Sequence, residues 1–392
     1  MTAKCFPWIV CLLVTAMLSA GCESGKNKQE VVQRWASARA AVQGSLAAER
    51  FKLGNLDDAR KAVDEAIKLD PLNADYHILS ARIYIERNQL EAADQELAVA
   101  RKLAPRKPEP DYLSGIIYQR WQKANLALEY YTKASEKAPG ELAYLMAKAE
   151  MLVQLNRDLE AQQLLEGKLT YFEYSGPMRD LLGTIYMQQD KKTEGIAMLH
   201  QASVLAADDL TIREHLARAC FSDAQYRDCQ QQIDLLLKDA SMQKRSDLYL
   251  LKGECLLHLD QFLEARSAVE KSLDLNASSV AALLSMTKIA VRLNDLDRAQ
   301  ISIRRALAIE PDNAQVYLSS GYVHMRLDRL PEALAAFEKA ASLDPQDPVA
   351  VCMIGLVHEK MGRPDLALQW YGKALQLQPN DSLAKALISR SK

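Results

Sequence analysis

The chain has 392 residues, with 49 lysines and arginines against 51 aspartates and glutamates, a formal net charge of −2. That balance excludes the strongly basic surface expected of a nucleic-acid binder and gives no reason to invoke a polyanionic partner. Length alone allows two or three domains, and 15 glycines and 13 prolines are few enough for an almost wholly helical protein.

Lys4 gives a short positive start, residues 6–18 form an apolar run without charge, and Ser19-Ala20-Gly21 leads up to Cys22. The pattern predicts a secretory signal over residues 1–21, too short to span a bilayer. The run LSAGC, Leu18 to Cys22, also looks like a bacterial lipobox, with Ser19 where the commonest form has leucine. That resemblance implies cleavage before Cys22, diacylation of its sulfur and, usually, acylation of the new amino terminus. Each buried methylene contributes about 0.8 kcal/mol, so two or more chains hold a protein stably at a membrane. An ordinary secreted protein cut near the same place is the other reading, but a cysteine directly after Ala-Gly has little other reason to be there. Glu23 is not the aspartate associated with inner-membrane retention in enteric bacteria, which favours the outer membrane of a cell envelope. Residues 22–29, polar and containing Gly25, read as a flexible tether. From Glu30 to Leu53 a helical pattern returns, with Val31, Val32, Trp35, Val42 and Leu46 apolar, and predicts an N-terminal cap.

The remainder follows one ruler. A small residue recurs at Ala59, Ala93, Ala127, Ala161, Gly195, Cys229, Ala265, Ala299, Ala333 and Ala367, every step being 34 except one of 36 between Cys229 and Ala265. Within a unit, Tyr317, Gly321 and His324 recur at i, i+4 and i+7, and Ala333, Phe337 and Ala340 do the same, so each unit is two helices. The break falls at Asp328-Arg329, and Pro345 closes the second helix, because proline lacks the amide and pushes its predecessor out of the helical region. The units run 40–73, 74–107, 108–141, 142–175, 176–209, 210–243, 246–279, 280–313, 314–347 and 348–381, with Lys244 and Arg245 as two extra residues and 382–392 as a closing helix.

A bulky residue, Leu, Gly or Ala, Tyr, Ala, an aromatic, Ala and Pro at fixed offsets in 34 residues resemble the tetratricopeptide repeat, and over nearly the whole mature chain. The resemblance implies an all-α, right-handed superhelical solenoid of about ten helix-turn-helix repeats. The closing proline is present as Pro71, Pro105, Pro139, Pro311, Pro345 and Pro379, but Glu173, Ala207, Ser241 and Ala277 replace it in the middle. There, too, Lys168 takes a place normally held by alanine, and Tyr171, Phe172 and Tyr174 crowd the junction before Gly176-Pro177. The array is expected to bend or soften between Glu166 and Gln243. The aromatics are a contact site if exposed, or gap fillers in a looser repeat.

No catalytic apparatus is legible. The six histidines, His77, His200, His215, His258, His324 and His358, show no metal-binding spacing, and His324 and His358 stand where Tyr84, Tyr118 and Tyr186 pack. There is no GxSxG, no Walker loop and no GxGxxG after a strand, and the protein reads as a non-enzyme without cofactor or metal. Cys220, Cys229, Cys255 and Cys352 remain beyond the signal and the anchor residue Cys22. Cys220 and Cys229 fall on facing helices of one repeat, either as a disulfide or as free cysteines filling core positions.

In the resembled family the first helices form a concave wall that binds extended peptides or helices. Carried over by position, this implies partner contacts at Arg82, Arg120, Lys288, Arg292, Tyr322, Arg326 and Lys360. The last three repeats gather Lys288, Arg292, Arg326 and Lys360 beside Tyr322, a basic strip suited to carboxylates. Scattered solvated charge is the plainer reading of the same residues. The carboxylate clamp for chaperone tails is not matched, since its places hold Leu284, Lys288, Ser319, Val349 and Met353. The role so implied is a membrane-anchored adaptor for protein or peptide partners in the assembly of a secretion, pilus or export complex. A glycan-binding component, with Tyr112, Trp121, Tyr322 and Trp370 stacking on sugars, is the alternative.

Overall fold

The computed structural model describes residues 8–391, with side chains described over 30–390; the expected signal, Cys22 and the tether lie outside the described side chains. Among the described residues there are helices and no strands, and no helix is long and apolar enough to cross a membrane. The chain divides after Glu173 into two compact units.

In the first unit α1 (Trp8–Lys52) pairs with α2 (Leu56–Leu69), α3 (Ala74–Glu86) with α4 (Leu90–Leu103), α5 (Glu109–Arg120) with α6 (Ala124–Lys137), and α7 (Leu142–Gln154) with α8 (Asp158–Glu166). In the second, α9 (Gly176–Gln188) pairs with α10 (Lys192–Leu205), α11 (Leu210–Ser222) with α12 (Tyr226–Leu236), and α13 (Ser246–His258) with α14 (Phe262–Leu275). There follow α15 (Val280–Arg292) with α16 (Leu296–Ile309), α17 (Ala314–Arg326) with α18 (Leu330–Leu343), α19 (Pro348–Lys360) with α20 (Pro364–Leu377), and α21 (Ser382–Ser391). Within each unit every pair packs on the next, which buries the apolar face that one pair cannot cover alone.

Three devices repeat with the period. First helices open on a side-chain cap at Asn73, Ser175, Asp209, Ser279, Asn313 and Asp347, whose oxygens accept from amides of the first turn. The turn between paired helices holds one left-handed residue, at Gly54, Asn88, Gln122, Asn156, Asp190, Ala224, Asp260, Asn294, Asp328 and Gly362. This conformation lets the chain reverse in about three residues; glycine, asparagine and aspartate tolerate it, alanine and glutamine do so at a cost. The third device is a close approach of the paired helices. The aromatics Tyr131, Phe337 and Tyr371 each lie against a glycine sixteen residues earlier, Gly115, Gly321 and Gly355. Where that glycine is replaced by Ala81, Ala149 or Ala217, the facing residue is Leu97, Leu165 or Ile233, all buried.

The expected irregularity of the middle is a matter of helix length. Of the four repeats without a closing proline, α8 has nine residues and α12 eleven, whereas α10 and α14 keep fourteen. The last two end like their proline-bearing counterparts, on a residue outside the helical region, Ala206 at φ −125° and Asn276 at φ −143°. Because α8 stops at Glu166, Lys168 lies beyond the helix in a run of turns and need not fit between packed helices, contrary to its expected placement. Tyr171 and Tyr174 are 68% and 79% exposed, and Phe172 is half-buried with its ring edge-on to Tyr171 at 4.8 Å.

The two ends differ. Ala384, Leu387 and Ile388 of α21 cover the last repeat, and Asp381 caps this helix through the Ala384 amide at 2.6 Å. At the other end, Ala40, Gly44 and Ala47 are the buried residues of α1 among its described side chains, while Val31, Val32, Trp35 and Val42 are exposed. The apolar residues that predicted a cap therefore do not cover the first repeat.

Candidate functional site

The inner helices α13, α15 and α17 lie side by side, and a groove of about 560 Å³ runs across them. Its floor is Leu257, Thr287, Val291, Ser319 and Met325, and its rim is His258, Asp260, Lys288, Arg292, Gln315, Tyr322 and Arg326. Helical spacing accounts for this: Lys288, Val291 and Arg292, like Ser319, Tyr322 and Arg326, stand three or four residues apart and face the same way. The 34-residue period then sets Tyr322 beside Lys288 and Arg326 beside Arg292 on adjacent helices.

The rim carries positive charge that is only partly neutralised. Arg292 reaches the turn of the preceding repeat and pairs with Asp260 at 2.7 Å, its guanidinium over Phe262 at 4.5 Å from the ring centre. Arg326 makes the equivalent reach but meets the neutral Asn294, donating to Oδ1 at 3.2 Å. Among the described residues its charge therefore stays uncompensated. Lys288 is exposed and makes no ion pair among the described residues. Tyr322 sits edge-on to Phe337 at 5.6 Å, and burial holds its phenol above the ordinary tyrosine range, so it keeps its proton. At the near wall the His258 ring stacks on Tyr226 at 4.2 Å, and Glu254 accepts from Ser285 at 2.9 Å. Fixed donors over a largely apolar floor suit a segment that presents carboxylates and apolar side chains together.

Models described as tetratricopeptide repeat match residues 50–114, 287–348 and 348–381. Residues 50–114 and 287–381 are tetratricopeptide repeats. A TPR repeat-containing protein of Methanocaldococcus jannaschii is 21% identical over 272 residues, 65% of this chain, and this chain spans about half, 47%, of that protein's length. Among solved structures, a tetratricopeptide repeat protein from Parabacteroides merdae superposes with a TM-score of 0.55 at 17% identity, covering 63% of this chain and 97% of that one. A thermophilic TPR protein of Thermus thermophilus covers 47% of this chain and 98% of its own at 18% identity, with a TM-score of 0.42. At 17% identity the likeness to the Parabacteroides protein is one of fold.

The TPR array distributes the seven expected contact residues unequally. Lys288, Arg292, Tyr322 and Arg326 meet in the one groove, and Lys360 is exposed on α19 without lining it. Arg82 and Arg120 belong to the first unit and are engaged in holding repeats together: Arg82 stands 3.7 Å from Glu109 and over the Phe51 ring, and Arg120 donates to the Ile85 carbonyl at 2.9 Å. The floor residues and Asp260 are not recoverable from the basic strip; period-related positions i+3 of each inner helix were the signal for Leu257, Val291 and Met325, whereas Asp260 is a turn residue 32 positions from its arginine. Of the aromatics expected on a sugar platform, only Tyr322 lines this groove. Tyr112 packs on Tyr131 and Tyr144, Trp121 lies against Tyr118, and Trp370 stands on the outer helix α20.

Among the described residues no group of three or more His, Cys, Asp or Glu is placed to hold a metal. Nδ1 of both His324 and His358 is buried without a partner among the described residues, and burial pushes His324 below the ordinary histidine value. His358 is buried and His324 half-buried, in keeping with packing positions.

Proposed function

We propose that this protein is a non-enzymatic adaptor, tethered to an envelope membrane through acylated Cys22, that recruits a protein partner by binding a carboxylate-bearing segment across α13, α15 and α17. The observation that carries the reading is the convergence of Lys288, Arg326 and Tyr322 around the apolar floor of one groove. A tetratricopeptide-repeat scaffold is suited to protein–protein interaction, and the uncompensated cations supply a sign. A partner's acidic, partly apolar stretch or its C-terminus matches both. Assembly of a secretion, pilus or export complex is the kind of task such an adaptor serves.

Fluorescence anisotropy with a labelled peptide of alternating leucine and glutamate, ending in a free carboxylate, tests the groove on the full chain. Binding should weaken about tenfold in Lys288→Glu with Arg326→Glu, each exposed charge pair lost being worth up to about 1 kcal/mol. Equal affinity in the wild type and the double variant would reject the site. Mass measurement of the mature protein tests the anchor: a diacylglyceryl cysteine at the amino terminus is expected, and an unmodified Cys22 would remove the tether.

A further inference from the structure

The four described cysteines are free and buried, and two of them meet. The pair differs from the one suggested by repeat geometry: Cys229 of α12 faces Cys255 of α13, in the next repeat, with the Cys255 thiol donating to Cys229 Sγ at 3.0 Å. Both side chains are fully buried, in a cluster with Ile233, Leu236, Leu248 and Leu251. One turn away on each helix, Tyr226 stacks on His258, so two contacts in register join α12 to α13. This junction is also where the repeat spacing lengthens from 34 to 36 and where α12 is short, ending ahead of a single turn of 3-10 helix, Met242–Lys244. Cys352, by contrast, faces Asp381, with no thiol opposite among the described residues.

We propose that Cys229 and Cys255 form a disulfide across the α12–α13 junction, made by exchange with a small-molecule disulfide or the disulfide of an oxidoreductase. One cysteine, as thiolate, attacks a sulfur of the donor disulfide, forming a mixed disulfide and expelling a thiolate. The other then attacks the protein sulfur of that intermediate and expels the second thiolate. Two protein thiols lose two protons and two electrons, and the donor leaves as two thiols. The sulfurs need close only about 1 Å to reach the bonded distance. The hydrogen bond to Cys229 and burial both hold the Cys255 thiol far above its ordinary value, so the closed protein exchanges slowly and the bond forms during folding or local opening. The bridge ties down α13, the near wall of the groove, at its least regular junction, and it stands whether or not the groove binds acidic peptides.

The test uses the full chain, refolded in a mixture of reduced and oxidised glutathione, quenched with N-ethylmaleimide and mapped by mass spectrometry after digestion. The expected product is a peptide pair joining Cys229 to Cys255, with Cys220 and Cys352 alkylated. Unfolding of this form should shift upward by roughly 5–10 °C relative to the reduced chain. Recovery of Cys229 and Cys255 as alkylated thiols or glutathione adducts would overturn the proposal, as would a Cys220–Cys229 pair. Pre-folded, reduced protein should form the bond faster when urea is raised to just below the unfolding transition; an unchanged rate would contradict formation through opening.

Discussion

Gly321 of α17 lies under the Phe337 ring of α18, so closely that a β-carbon at 321 would come to 2.6 Å from Cδ1 and Cζ of that ring. The helices of this repeat are spaced by the absence of one methyl group. Gly321→Ala gains about 1 kcal/mol in helix propensity but forces an overpacked contact costing about 1–3 kcal/mol, and the ring, fully buried, has nowhere to move. We expect net destabilisation of up to about 2 kcal/mol by chemical denaturation. Adding Phe337→Leu should recover part of the loss, since Ala81 already faces Leu97. A double variant no better than the sum of the singles would show the ring is not the cause. Gly372 of α20 is the control: nothing stands within 4 Å of its β-position, and Gly372→Ala should stabilise by about 0.5–1 kcal/mol.

Ala224 holds the left-handed turn position at φ +58°, where every other repeat but one has Gly, Asn or Asp. An L-residue with a β-carbon pays about 1–2 kcal/mol for that conformation and lacks the local hydrogen bonds of Asn or Asp. Ala224→Gly should therefore raise the stability of the second unit by about 0.5–1 kcal/mol, after the entropy glycine adds to the unfolded chain. A lowered denaturation midpoint would mean that the alanine methyl makes a contact that outweighs the strain.

His215 of α11 and Asp180 of α9 join adjacent repeats, Nδ1 lying 2.9 Å from both carboxylate oxygens. This hydrogen bond raises the histidine above its ordinary 6.5, partly opposed by burial, with Glu214 and Asp209 adding to the rise. Its contribution is fully present below about pH 6.5 and is lost as pH rises through the folded value. His324 has the opposite sign: burial lowers it, so its contribution is present above about pH 6.5 and is lost as pH falls through the folded value. Stability should peak near about pH 6.5. His215→Gln should flatten the alkaline limb and His324→Tyr the acid limb, measured as urea midpoints from about pH 5 to about pH 8. A limb that survives its own substitution would assign that limb to another group.

Asp260 neutralises Arg292 at the groove rim, and asparagine at 260 keeps the turn because it tolerates the same φ of +59°. Asp260→Asn is expected to tighten binding of the acidic peptide about two- to fivefold, in line with the modest worth of exposed ion pairs. The gain should shrink with added salt. Weaker binding would place Asp260 among the groups that contact the ligand.

Much of the fold is legible from residues spaced by 34, because each repeat must present the same small and apolar positions to the same neighbours. The aromatic–glycine pairs sixteen apart, Gly115 with Tyr131 and Gly355 with Tyr371, were readable for the same reason: the packed space between two helices is fixed, and volume on one must be removed from the other. The basic strip was equally visible at Lys288, Arg292 and Arg326.

The chain's own residues thus determined repeat number, helix pairing and which side chains share the inner face, since all three follow from period and amphipathic spacing. Only the folded arrangement decided which of those side chains are chemically available. Arg292 and Arg326 hold equivalent positions, yet one meets Asp260 and the other Asn294. Cys229 meets Cys255 and not the partner suggested within its own repeat. Contacts between neighbouring repeats depend on rotamers, turn residues and helix ends about thirty positions away, and sub-ångström packing settles them where periodicity cannot.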